Sequence, residues 1–140
     1  MASNYTEHYG LCQWDAADQV SREEFNQDNK KIDGALATIP QLVFGSYVGN
    51  GSATRKIELD FTPAVLFVVA KDGMTFREIN GSSQFCGGLV FKDEPALDVY
   101  RDRMILEICE NGFHVAYNVD NSLYLYTNEP DMKYHYIALR

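Results

Sequence analysis

The pattern of hydrophobic and polar positions changes character at Pro40. Before this residue, apolar side chains recur seven positions apart along one stretch, which is the spacing of a stripe on a helix. After it, apolar and polar residues alternate and turn dipeptides arrive at short intervals, which is typical of β-strands joined by tight turns. The pattern therefore predicts a helix first and a β-domain afterwards.

The helix is predicted over residues 21–39. Ser21 as N-cap and Glu24 three residues later form a capping box, and Pro40 ends the helix because the residue before a proline avoids helical geometry. The apolar stripe is a narrow heptad seam of Phe25, Asn29, Ile32, Leu36 and Ile39. A seam asparagine fixes register and oligomer state in coiled coils, and an isolated helix of this length is marginal in water. The seam therefore needs a partner, and we favour its own symmetry mates over the domain that follows.

Residues 1–20 fit neither period, because their aromatic and aliphatic side chains are separated by polar ones without regular spacing. We expect an extended arm that becomes ordered on another surface. Its beginning lacks the basic region and apolar run of a secretion signal, so we expect a chain that is not exported.

Residues 41–140 are predicted to form an antiparallel β-sandwich of about seven or eight short strands, which makes the chain mainly β. Ile57, Leu59 and Phe61 alternate with charged residues, as in a half-buried strand. The continuous apolar run 64–70 predicts a central strand covered on both faces. Tight turns are predicted at the dipeptides Asp72-Gly73, Asn80-Gly81 and Asn111-Gly112.

Charge and cysteine content narrow the classes of partner. The 140 residues carry a formal net charge of −8, which disfavours partners bound through their phosphates, so we expect no nucleic acid partner. No apolar run is long enough to span a bilayer, so we expect no membrane insertion.

Cys12, Cys86 and Cys109 are odd in number and lack CxxC spacing, which predicts buried or incidental thiols and no zinc site. We expect no metal and no cofactor.

Catalytic chemistry has only dispersed candidates. Glu107 lies on a predicted strand and Glu110 in its turn, so they need not share a face as a hydrolase pair would. The other acidic candidates lie on a Pro-containing loop and are Asp93, Glu94, Asp98 and Asp102. The histidines, which lack i,i+4 spacing, are His8, His114 and His135. We therefore expect a protein that is not an enzyme.

Two stretches before Pro40, taken together, carry a specific spacing of aromatic, amide and acidic residues: YGLCQW at 9–14 and EEFNQDNKKIDGAL at 23–36. They resemble the N-terminal segment of tail-associated proteins in phages and prophages of gut Gram-positive bacteria. In those proteins the segment precedes variable adhesive or fibre domains. The resemblance implies attachment to a particle through Tyr9, Leu11, Trp14 and Phe25.

Three stretches after Pro40, at 47–69, 111–115 and 133–140, resemble phage tail-fibre tip domains. The fold of those domains is similar to the H-type lectins, which are antiparallel β-sandwiches that form trimers and bind sugars. The resemblance implies a homotrimer that binds a host-surface glycan without a cofactor. The segment 80–103 has no counterpart in that pattern.

Aromatic residues near the end of the chain cannot all face one core, because consecutive residues of a strand point to opposite faces. Rings with polar edges suit both subunit contact and sugar stacking. We assign to the oligomer interface Tyr134 and Tyr136, together with Asn29, Ile32 and Leu36 of the seam. We assign to glycan binding Tyr124, Tyr126 and His135.

The sequence thus predicts a virion structural protein, a tail-fibre or adhesin component made in the host bacterial cytoplasm and located on the tail or particle surface. Its other expected partners are further virion proteins. A capsid head fibre or decoration protein would carry the same arm, and a fibre assembly chaperone would be absent from finished particles. A cell-wall glycan hydrolase is the alternative from another class, and it requires Glu107 or the loop carboxylates to converge in a cleft.

Overall fold

The computed structural model describes residues 1–98, 100, 102–120 and 123–140. By its internal contacts the chain divides into two compact units, Met1–Pro40 and Gln41–Arg140. No helix in the described part of the chain is both long and apolar enough to cross a membrane.

The N-terminal unit contains a short hairpin and a helix. Strands β1 (Asn4–Tyr5) and β2 (Cys12–Gln13) pair antiparallel, and helix α1 spans Arg22–Ala37. The Ser21 hydroxyl accepts a hydrogen bond from the Glu24 N–H at 3.2 Å, so the helix begins at the predicted cap. It ends slightly earlier than predicted, because Thr38 takes the C-cap and its hydroxyl donates to the Ala35 carbonyl at 2.8 Å.

Residues 1–20 are folded against the helix, so the prediction of an extended arm is wrong. The Ala2 N–H donates to Glu24 Oε1 at 2.9 Å, and the Cys12 N–H donates to Asp28 Oδ2 at 2.7 Å. The Lys31 ammonium also donates to the Gly10 carbonyl. Helix side chains therefore supply the partners that the irregular backbone of the arm needs.

The C-terminal unit consists of strands and their connections. In chain order the strands are β3 (Leu42–Val48), β4 (Thr54–Glu58), β5 (Val65–Ala70), β6 (Phe76–Ile79), β7 (Ser82–Phe85), β8 (Gly88–Phe91), β9 (Ala96–Leu97), β10 (Met104–Cys109), β11 (Gly112–Asp120), β12 (Leu123–Tyr126) and β13 (Lys133–Leu139). The mainly β fold with a preceding helix is confirmed. Asn80 and Gly81 join β6 to β7 with φ angles of 51° and 77°, which fits the predicted tight turn.

The smaller sheet has the order β3-β13-β5-β8 and is antiparallel throughout. Strand β13 lies between two partners and pairs with β3 along its full length, from Lys133 opposite Val48 to Leu139 opposite Leu42. On the other side it runs from Tyr134 opposite Ala70 to Leu139 opposite Val65. This continuous register decides which side chains of the sheet face inward.

The larger sheet has the order β6-β7-β12-β11-β10-β9, and β4 also pairs with β11. Its β7 and β12 run parallel, so this sheet is mixed, whereas the sequence predicted an antiparallel sandwich. A parallel pair needs a long crossover, and here the chain passes through β8 to β11 before it returns to β12. The unassigned segment 80–103 therefore supplies β7, β8 and β9.

The core lies between the two sheets. The larger sheet contributes to it Ile57, Leu106, Ile108, Phe113 and Val115, and the smaller sheet contributes Leu66, Val68, Tyr134 and Ala138. The Phe113 ring meets Tyr47 and Tyr136 edge to face, at centroid distances of 6.0 and 5.3 Å. These ring contacts join the sheets with a geometry that aromatic pairs prefer.

Strand β5 is covered on one face only, contrary to the prediction. Leu66 and Val68 are fully buried in the core, whereas Phe67 between them is 38% exposed. The apolar run was expected to be covered twice because both of its faces are hydrophobic. The second hydrophobic face of the smaller sheet is thus left open.

Thr127 and Asn128 form a buried polar node beside the core. Thr127 Oγ1 accepts from the Ala116 N–H at 2.8 Å and donates to the Ile105 carbonyl at 2.9 Å. Asn128 Nδ2 donates to Asn50 Oδ1 at 2.8 Å. The node ties the β12–β13 connection to the neighbouring β10 and β11, because it satisfies backbone groups that would otherwise be buried without partners.

We predict that Thr127→Val lowers the free energy of unfolding by about 1–3 kcal/mol, since valine keeps the shape but leaves the Ala116 N–H unpaired. Chemical denaturation followed by far-UV circular dichroism measures the change. Thr54→Val is the matched control at an exposed strand position, where we expect a change of about 0.5 kcal/mol or less. Equal losses in both variants would contradict the role of the node.

Candidate functional site

A stack of three tyrosine rings is the main aromatic cluster of the β-unit outside its core. Tyr126 lies between Tyr117 and Tyr124, at centroid distances of 5.7 and 5.6 Å and with interplanar angles of 18° and 11°. Tyr117 stands directly opposite Tyr126 in the β11–β12 pair, and Tyr124 lies two residues before Tyr126 on the same face. Strand pairing therefore holds the rings nearly parallel.

The stack lies at the end of β11 where the side chains on its core face become exposed to solvent. Phe113 and Val115 on this face are fully buried, Tyr117 is half-buried, and Val119 is exposed. All three tyrosines of the stack are half-buried. The cluster therefore lies at the boundary between the core and solvent, where each of the three side chains is partly exposed.

The hydroxyl of the middle ring, Tyr126, has a shifted pKa. Burial, followed by the Glu129 carboxylate and the two neighbouring tyrosines, raises the pKa of Tyr126 above its ordinary value. A tyrosine hydroxyl is protonated at neutral pH even without this shift, so the Tyr126 hydroxyl can donate a hydrogen bond to a ligand oxygen.

Of the residues assigned to glycan binding, Tyr124 and Tyr126 come together and His135 lies elsewhere. His135 is on β13 in the smaller sheet, opposite Ser46 and Val69. Tyr117 takes the third place in the cluster instead. The alternation of apolar residues from Phe113 through Val115 is the signal in the sequence that could have found Tyr117, but it does not show that this face continues beyond the core.

The assignment of Tyr134 and Tyr136 to a subunit interface is a further correction. Tyr134 is fully buried, its ring stacks on Tyr47 at 5.0 Å, and its hydroxyl donates to the Tyr126 carbonyl. Tyr136 is half-buried and packs on Phe113. Both side chains point into the core, so the alternate residues of β13 form its open face.

The seam residues of α1 are solvent-exposed in the described unit. Asn29, Ile32 and Leu36 are all exposed, and the one fully buried residue among the described positions of this helix is Asp28. The apolar stripe is therefore free to contact a partner, as the sequence predicts for an interface.

The residues assigned to particle attachment all lie in the N-terminal unit but differ in exposure. Tyr9 and Phe25 are exposed, whereas Leu11 and Trp14 are half-buried. The Trp14 indole N–H is buried without a hydrogen-bond partner among the described residues. Tyr9 and Phe25 are thus the more accessible pair for a docking contact.

Asp28 organises the N-terminal unit. Besides the Cys12 N–H, its carboxylate accepts from Lys31 Nζ at 3.3 Å. Burial acts to raise the pKa of Asp28, but the hydrogen bond from the Cys12 backbone and the Lys31 ammonium outweigh it, so the pKa is lowered. The charged form of Asp28 is therefore the one that the folded unit favours.

The dispersed carboxylates do not assemble into a recognisable catalytic pair. Glu107 Oε2 lies 3.0 Å from His114 Nδ1 across β10 and β11. Asp98 is buried and bound to Arg103 at 3.0 Å. Asp93 and Glu110 line one shallow hollow of about 260 Å³.

Metal and thiol chemistry also lack a centre within the residues that the structure describes. No group of three or more His, Cys, Asp or Glu side chains there could hold a metal ion. The cysteines are free thiols, and burial raises the pKa of Cys86 and Cys109. Raised pKa values keep these thiols protonated and unreactive.

Comparison with protein families, with curated proteins and with solved structures finds no match to this chain.

We predict that Asp28→Asn weakens the N-terminal unit at neutral pH and reduces its response to acid. Because the pKa of Asp28 is lowered in the folded state, its stabilisation is present above the ordinary carboxyl pKa of 3.8 and is lost as the pH falls below it. Fluorescence of Trp14, the single tryptophan of the chain, reports on this unit. Asp33→Asn, at an exposed position of the same helix, is the control. Identical acid titrations of the two variants would refute the prediction.

Proposed function

We propose that this chain is a virion structural protein, a phage tail-fibre or adhesin component. Its N-terminal unit docks on the particle, and its β-sandwich presents a binding surface to a glycan of the host cell. The tyrosine stack of Tyr117, Tyr126 and Tyr124 is the observation that carries the proposal, since aromatic faces with polar edges suit the alternating C–H and O–H surfaces of a sugar.

The two-unit organisation supports a division between docking and presentation. Each unit is compact by its own contacts, so one can attach while the other projects. The N-terminal unit offers exposed Tyr9 and Phe25, and the β-unit offers the stack. Several copies on one particle would turn weak single contacts into firm adhesion through multivalency.

The charge of the chain narrows the class of glycan. A net charge of −8 opposes binding to polyanionic polymers, whereas a stacking platform needs no charge on its ligand. The proposed ligand is therefore a neutral cell-surface saccharide.

The adhesive part of the proposal is tested by binding of the purified full-length chain to an array of neutral glycans. We expect saturable binding that Tyr124→Ala weakens about tenfold, since one stacking contact supplies roughly 1.4 kcal/mol. Tyr100→Ala, a highly exposed tyrosine outside the stack, should bind like the unaltered chain. Unchanged affinity of the Tyr124→Ala variant, or no binding by the unaltered chain, would refute the platform.

The virion part is tested separately, by immunoblotting particles purified from a culture that makes this chain. We expect the chain in finished particles at a fixed ratio to the other structural proteins. Its presence in the lysate but not in particles would favour the assembly chaperone. Gold labelling on the capsid instead of the tail would favour the head fibre.

A further inference from the structure

The open face of the smaller sheet carries two apolar rows that cross all of its strands. One row consists of Leu42, Leu139, Val65 and Phe91, and the next consists of Phe44, Ile137, Phe67 and Leu89. We call these residues the apolar belt. Alternation along each strand places all of them on the face opposite Leu66, Val68 and Tyr134 of the core.

The area of the belt exceeds what scattered surface residues produce. Phe44, Phe67 and Phe91 are 69%, 38% and 48% exposed, and at about 200 Å² for a whole aromatic side chain they leave roughly 300 Å² open to solvent. With its aliphatic members the belt reaches about 600 Å², the upper end of the patches that monomeric proteins expose. A patch of this size marks an interaction surface.

The larger sheet carries charged pairs as well as single exposed apolar residues. Lys56 pairs with Glu58 at 2.9 Å, and Glu107 pairs with His114 on the adjacent strands. Phe76 and Ile79 on β6 are exposed, but the apolar residues of the smaller sheet differ in forming two continuous rows across all of its strands. The continuity of the rows, more than the exposure of any one residue, sets the belt apart.

We infer that the apolar belt is the surface through which copies of this chain contact one another. Two copies that cover each other's belts would bury roughly 1,200 Å², which reaches the lower limit of specific interfaces. The members of the belt are all aliphatic or phenylalanine, and interfaces between identical subunits are the more apolar class. A different partner of transient character would be expected to meet a more polar surface.

The shape of the belt also suits a second sheet. Sheet faces pack on one another at about 10 Å with interlocking side chains. Between Phe44, Phe67 and Ile137 the belt has a shallow hollow of about 250 Å³, which a side chain from another copy can enter. When the partner is another copy of the same chain, each belt is matched by one belt that can cover it.

This inference goes beyond the proposed function, which does not depend on contact between copies of the chain through the belt. The test compares the mass in solution of the full-length chain, by sedimentation velocity, with that of Phe44→Glu and Leu89→Glu. Both positions are more than half exposed, so the variants should fold as the unaltered chain does, which circular dichroism checks. Ile79→Glu, at a similarly exposed strand position of the larger sheet, is the matched control.

We expect the unaltered chain and Ile79→Glu to sediment as the same oligomer, and both belt variants to sediment as single chains. A charge placed in a packed apolar interface is strongly unfavourable. A monomeric unaltered chain, belt variants that keep the oligomer, or loss of the oligomer in Ile79→Glu would each overturn the inference. Glycan binding by such a monomer would leave the adhesive proposal standing, so the two failures are distinguishable.

Discussion

The register of β13 between β3 and β5 is the constraint on which both faces of the smaller sheet depend. With Tyr134 opposite Tyr47 and Ala70, the even-numbered residues of β13 enter the core. Because side chains alternate, a slip by one residue would bury His135 and Ile137 and expose Tyr134. Stacking of Tyr134 on Tyr47, and the hydrogen bond from its hydroxyl to the β12 backbone, favour the observed register. The core, the belt and the position of the β12–β13 connection all follow from this choice.

The two units provide hydrogen-bond partners for their backbone groups in different ways. Their proposed roles differ as well. The N-terminal unit uses carboxylates of α1 to bind the backbone of an irregular arm, so its apolar stripe stays exposed. The β-unit uses paired strands and the Thr127–Asn128 node, so its inner faces close over an apolar core. The β-unit leaves open a tyrosine stack at one end of β11 and β12 and the belt on the smaller sheet. We assign the proposed adhesion to the stack, the proposed contact between copies to the belt, and the proposed attachment to exposed residues of the N-terminal unit.

Local signals in the sequence predicted the local structure well. Ser21 and Glu24 marked the start of the helix, and Asn80-Gly81 marked a tight turn, because each signal acts over a few residues. The parallel pairing of β7 with β12 could not be predicted, since it depends on where a long crossover returns. The sequence also could not show which face of β13 points into the core. The aromatic and aliphatic residues of this strand suit either face, so only its pairing with the neighbouring strands decides which of them are buried. For the same reason the pattern assigns Tyr134 and Tyr136 to a subunit interface, whereas in the structure both face the core.

If copies of this chain cover the apolar belt in the assembled protein, hydroxyl-radical footprinting of the full-length chain will show that cover. Phe76 on the larger sheet is an internal standard, because its exposed fraction of 42% in the single chain lies within the range of the belt phenylalanines. We expect Phe44 and Phe91 to be oxidised much more slowly than Phe76. Oxidation of Phe44 faster than Phe76, in the order of their single-chain exposures, would contradict it.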